Sequence, residues 1–74
     1  MTYEQAQESL LRIARQNGGM ITARDVEADA TLASDQDVVC AAARALSGST
    51  NVFTVPNDGE GWFPYVEIRI TDLH

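Results

Sequence analysis

The chain has 74 residues, enough for one domain and close to the lower limit at which a single apolar core is stable without disulfides or metal. A hydrophobic fraction of 45% argues against intrinsic disorder, and a formal charge of −6, from eleven acids against five basic residues that are all arginine, disfavours a polyanion as partner of the surface as a whole. One cysteine excludes an internal disulfide, no run approaches the roughly 18 apolar residues of a membrane span, and no signal peptide precedes the first helix. The expected setting is a small, soluble, cytoplasmic protein organised as a single domain over 1–74, with its core over about 2–70.

Thr2 and Gln5 read as a capping box, with Met1 placed to staple onto Ala6. Ala6, Leu10, Ile13 and Ala14 then form a helical stripe, widened by Leu11, and Glu8 and Arg12 are spaced for an ion pair on the opposite face. Asn17, Gly18 and Gly19 end this helix, and Met20 and Ile21 form a short extended link. Thr22 caps a second helix, with Val26 facing inward, that ends near Asp29 or Ala30. Thr31, Leu32 and Ala33 read as a tight connection whose Leu32 points inward.

A third helix is expected over 34–46, with Ser34 as its cap and Asp37 completing an approximate capping box. Its buried face is read as Val38, Ala42, Ala45 and Leu46. The other face, Gln36, Val39, Cys40, Ala43 and Arg44, is unusually small and apolar for a solvated surface. Gly48 closes the helix. Beyond it the period changes: Val52 to Val55 and then Trp62, Phe63, Tyr65, Val66, Ile68 and Ile70 read as two strands around the turn formers of 56–61, a β-hairpin. Pro64 belongs near a strand start or an unpaired edge, and the tail from Thr71 to His74 is expected to fray. The expected core is Leu10, Ile13, Val26, Leu32, Val38, Leu46, Val52, Val55 and Ile68, with Ala6 and Ala42 at close helix contacts.

This order resembles the winged-helix family across roughly residues 2–70: three helices, a short extended link after the first, then a hairpin directly after Leu46. The resemblance is one of architecture. It implies an α+β fold, a three-helix winged helix-turn-helix with a C-terminal β-hairpin wing. In members that bind DNA, the third helix enters the major groove and the wing touches backbone or minor groove. Carried over, the groove-facing positions are Asp35, Gln36, Val39, Cys40, Ala43 and Arg44, and the wing is 57–61.

Those positions depart from what DNA requires. Phosphates dominate such interfaces and are met by Lys, Arg and backbone N–H groups. Between Asp25 and Asp37 the sequence has five acids and no basic residue, and the wing adds Asp58 and Glu60. Each unit charge about 4 Å from another interacts by roughly 1 kcal/mol in water, so several carboxylates oppose docking on a phosphate array. A local patch from Arg24, Arg44 and Arg69 stays open as a counterweight. The acidic 25–37 segment itself reads either as a solvated face or as a docking surface for an Arg- or Lys-rich partner.

Catalysis finds no support. The one histidine, His74, sits at the terminus, so neither a nucleophile–base pair nor zinc spacing can be assembled. The segment 57–61 is too short for a calcium loop, and no Gly-rich phosphate cradle precedes a helix. Cys40 reads as a small buried hydrophobe or, less simply, as a reactive thiol; Val39, Cys40 and Ala43 together are either buried or an exposed contact patch. Trp62, Phe63 and Tyr65 are three aromatics within four positions, so at least one is expected to reach solvent and anchor a partner. The candidate contact residues are Asp35, Gln36, Val39, Cys40, Ala43, Arg44, Trp62 and Tyr65. The first functional expectation is an acidic protein–protein interaction module without catalysis, cofactor, metal, membrane or small-molecule substrate, its partner a protein of basic character or a second copy. The alternative is a DNA-binding transcriptional regulator using helix 34–46 and the 57–61 wing.

Overall fold

The computed structural model describes residues 1–59 and 61–71. They form four helices and a three-stranded antiparallel sheet: α1 (Tyr3–Gln16), β1 (Met20–Thr22), α2 (Ala23–Ala28), α3 (Ala30–Ala33), α4 (Gln36–Ser47), β2 (Val52–Pro56) and β3 (Tyr65–Ile70). The fold class is therefore mixed α+β, with four helices where three were expected. The additional turn, α3, has a local cause. The Asp29 carboxylate accepts from the N–H groups of both Thr31 and Leu32, so the expected connection is capped as a short helix, and Leu32 is buried from it.

Both N-terminal caps follow the sequence. Thr2 and Gln5 form the full capping box of α1, and Thr22 accepts from the Asp25 N–H at the start of α2. The Glu8–Arg12 pair is not formed; the ion pairs among the described residues are Arg69 with Glu67 and the Met1 ammonium with Asp35. After α1, Gly18 and Gly19 take φ of +70° and +101°, the left-handed region glycine enters without penalty. That turn delivers the extended link into the sheet: Gly19 accepts from the Ile70 N–H at 2.7 Å, and Met20, Ile21 and Thr22 pair with Arg69, Ile68 and Glu67.

The strand order is β1-β3-β2, with Val52 to Val55 opposite Ile70, Arg69, Ile68 and Glu67. Residues directly opposite one another share a face. The inner face thus carries Ile21, Ile68 and Thr54, flanked by Val52 and Ile70, and packs on the helices; the outer face carries Met20, Arg69 and Phe53 in one row and Thr22, Glu67 and Val55 in the next. This overturns the placement of Val55 in the core: it lies opposite Glu67 and is 47% exposed. Val66 is the extra residue at a register shift opposite Val55 and Pro56. Thr71 donates to the Asn51 carbonyl at 2.9 Å, which sets the ladder so that Phe53 and Val55 turn their backbone groups to β3. Thr54 and Pro56 face the open edge, where Pro56 has no N–H to offer, and the Val52 N–H is taken by the Ser49 carbonyl.

The core joins Ala6, Leu10 and Ala14 of α1, Ile21, Val26, Leu32, then Val39, Ala42 and Ala43 of α4, Phe63 and Ile68. Ile13, Val38, Leu46 and Val52 are half-buried against it. The strand expected to begin at Trp62 begins at Tyr65; Trp62, Phe63 and Pro64 instead form a loop that folds back over the helices. Among the described residues no helix is long and apolar enough to cross a membrane. Thr71, the first residue of the tail expected to fray, is instead hydrogen-bonded to the Asn51 carbonyl, while the rest of that tail, 72–74, and the wing acid Glu60 lie outside the described residues.

Candidate interaction surface

Helix α4 is rotated relative to the sequence reading. Its buried face is Val39, Ala42 and Ala43, with Val38 and Leu46 at its margins, and Ala45 is exposed. Val39 and Ala43, expected on the outward face, are both 0% exposed, so neither belongs to a contact patch. The loop after β2 explains the rotation. Phe63 is buried in the same core as Ala43 and Val39, Cys40 Sγ donates to the Trp62 carbonyl at 3.6 Å, and the Tyr65 hydroxyl donates to Ser47 Oγ at 3.0 Å. The three rings meet edge to face, with centroids 6.0 Å (Trp62 to Phe63) and 6.1 Å (Phe63 to Tyr65) apart. The chain's own aromatics fill the small-residue surface that had been assigned to a partner.

The remaining candidates are dispersed. Asp35 is the α4 N-cap residue without a capping hydrogen bond, because its carboxylate is engaged by the Met1 ammonium; Ser34, the expected cap, instead donates its hydroxyl to the Thr31 carbonyl at the end of α3. Gln36 and Arg44 are exposed, and Trp62 and Tyr65 are half-buried against the core. The solvent face of α4 presents Asp37, Ala41, Arg44 and Ala45, with one acid and one base among two alanines. Burial pushes the Cys40 thiol up; nearby Arg44 opposes that shift and Asp37 adds to it. This is the setting of an unreactive thiol.

The loop 57–64 is braced from both sides. Glu27 accepts from the Phe63 N–H at 3.4 Å, and Asn57 donates its amide to the Phe63 carbonyl at 3.1 Å. Gly61, with φ of +82°, lies against the Glu27 carboxylate, where a side chain would collide. Gly61, the last position of the expected wing, and Phe63 just beyond it thus lie against α2 through an acid of the 25–37 stretch. That acid has a structural task, and Asp25 and Asp29 have theirs: Asp25 accepts from Asn17 at 2.9 Å and Asp29 caps α3.

The surface that does expose large apolar side chains lies elsewhere. Phe53 is 61% exposed and Val55 47% on the outer face of the sheet, and Val66 is 48% exposed at the start of β3. Arg69 and Glu67 stand beside them on the same face, 3.3 Å apart. Sequence reading missed this surface because Val52, Phe53 and Val55 are apolar at both parities, so β2 alone does not declare its inward side. Only its register against Ile68 and Ile70 does. A shallow, open groove along α1 is lined by Met1, Gln5, Glu8, Ser9, Arg12, Arg15 and Thr31. No family model, curated protein or solved structure matches the chain.

Proposed function

We propose that this chain is a small, non-catalytic interaction domain of winged-helix-like architecture whose contact surface is the outer face of its sheet. The observation that carries this reading is the pair Phe53 and Val55, 61% and 47% exposed side by side on a sheet face whose opposite side is packed on the helices. Apolar side chains scattered singly over a surface mean little, but adjacent large ones on a rigid strand mark contact surfaces. The element order, and the strand order β1-β3-β2 with the hairpin following α4, support the winged-helix reading. The short α3 between the second and last helices departs from its three-helix outline. Duplex DNA is disfavoured as partner, since the outward face of α4 offers Arg44 against Asp37, and Asp58 stands exposed in the loop.

The test is affinity capture from the source cells with the full chain and with Phe53→Glu, after circular dichroism has established that the variant is folded. Proteins retained by the native chain and lost from the variant carry the reading. A set of captured proteins indifferent to Phe53→Glu places the contact surface elsewhere and defeats it.

A further inference from the structure

Resting on that reading, we infer that the partner of the outer sheet face is a second copy of this chain, docked face to face about a two-fold axis. The argument is charge complementarity. The outer face carries two parallel rows, Met20–Arg69–Phe53 and Thr22–Glu67–Val55, running across the three strands. A two-fold axis along those rows, midway between two stacked sheets, lays each row over the other row of the second copy. Arg69 then stands over Glu67 and Glu67 over Arg69, while Phe53 stands over Val55 and Val55 over Phe53. An interface between identical copies must be self-complementary in this reciprocal sense, and few surfaces are. In this arrangement both charges of the rows meet their opposites, and Phe53 and Val55 meet each other. Sheets stacked this way keep strand directions nearly aligned, a common packing of two sheets.

Size sets the strength. Three strands about 4.8 Å apart, of three, five and six residues at about 3.4 Å each, give a face of at most roughly 15 by 20 Å. That is far below the roughly 800 Å² per partner of a standard stable interface, so the dimer is weak and concentration-dependent, in the micromolar to millimolar range. The formal charge of −6 on each copy opposes their approach, which leaves the local Arg69–Glu67 complementarity to fix the orientation.

The experiment is sedimentation velocity and native mass spectrometry of the full chain from about 10 μM to about 1 mM, the range demanded by so small a patch. It is run on the native chain, on Arg69→Glu, on Glu67→Arg and on an equimolar mixture of the two variants. The native chain is expected to dimerise reversibly. Each single variant places like charges over one another and should weaken its own dimer about tenfold or more. The mixture should recover a heterodimer, distinguishable by mass, because the two acids on the face of Arg69→Glu then stand over the two arginines on the face of Glu67→Arg. Phe53→Glu, which lays a carboxylate over Val55 of the second copy, should be monomeric throughout. A native chain monomeric over the whole range overturns the inference. So does a dimer indifferent to both single reversals, or a mixture without heterodimer. A monomer that still captures another protein through Phe53 removes the second copy but leaves the interaction surface; one whose captures ignore Phe53→Glu removes both.

Discussion

Cys40 donates its thiol hydrogen to the backbone carbonyl of Trp62, 3.6 Å away, so the one sulfhydryl of the chain is tied to the loop that covers α4. Burial raises its pKa, and the proton is retained more tightly in the folded protein than in the unfolded chain. The expected outcome is slow alkylation by iodoacetamide at neutral pH, relative to the same protein in denaturant. A rate equal to that of the denatured chain would contradict it. The same shift carries a sign for stability. A raised folded-state pKa supports the fold fully below the unfolded thiol value, roughly 8.5, and that support is lost as pH rises through the higher folded value. Alkaline denaturation above about pH 8.5 should therefore be less steep in Cys40→Ala, measured by urea midpoints at each pH.

Ala43 offers a direct check on the phase of α4. With no exposed surface and Phe63 in the same core cluster, it has no room for a guanidinium. Ala43→Arg should abolish folding, because an unpaired buried charge costs several kcal/mol and small domains hold only about 5 kcal/mol in reserve. Ala41→Arg, two positions away on the solvent face, should leave the melting temperature nearly unchanged. Equal tolerance of both would return Ala43 to the surface.

Gly19 is the tightest backbone position on the route from helix to sheet. A Cβ there would lie 2.6 Å from the Ile70 carbonyl oxygen, and its φ of +101° is strained for any other residue. Gly19→Ala should destabilise by about 1–3 kcal/mol or more, read from chemical denaturation. Gly18→Ala, where nothing lies within 4 Å, should show the smaller effect of backbone strain alone.

Phe63 is the largest fully buried side chain, and its loop is held by Glu27 and Asn57. Phe63→Ala should cost about 3–5 kcal/mol and leave little folded protein at 37 °C. Trp62→Ala removes a half-buried ring and should cost less. The intrinsic fluorescence of Trp62 in the native chain reports the same transition by a red shift.

Random duplex DNA should not be bound tightly at physiological salt. Eleven acids oppose five arginines, and the outward face of α4 carries Asp37 as well as Arg44. Nanomolar affinity in fluorescence anisotropy, falling steeply with added salt, would show that phosphate contacts prevail after all.

What was legible in the sequence was local. Thr2 with Gln5, Thr22 with Asp25, and the glycines after Asn17 specify α1 and the start of α2 through contacts a few residues apart, and the structure places them accordingly. The three-helix count failed on an equally local detail, the Asp29 side chain capping Ala30–Ala33. The phase of α4 was not legible for a different reason. Ala41, Ala42, Ala43 and Ala45 give the helix little contrast between its faces. The side that is buried is chosen by Phe63 and its ring neighbours, some twenty residues away in sequence. The outer sheet surface was hidden in the same way, because Phe53 and Val55 become an exposed pair only once β2 is registered against β3.

Pro56 at the open edge of the sheet limits how far any assembly can grow. An exposed strand with Phe53 and Val55 on it is the kind of segment that recruits further strands without end. Here the rim has lost a donor to the proline ring and another to the Ser49 carbonyl, so the ladder cannot readily be extended sideways. Docking through the flat of the sheet, as proposed above, would use up the outer face in a single closed event and leave the rim to these two safeguards. Restoring a donor with Pro56→Thr should raise the tendency to form fibres, read by thioflavin fluorescence.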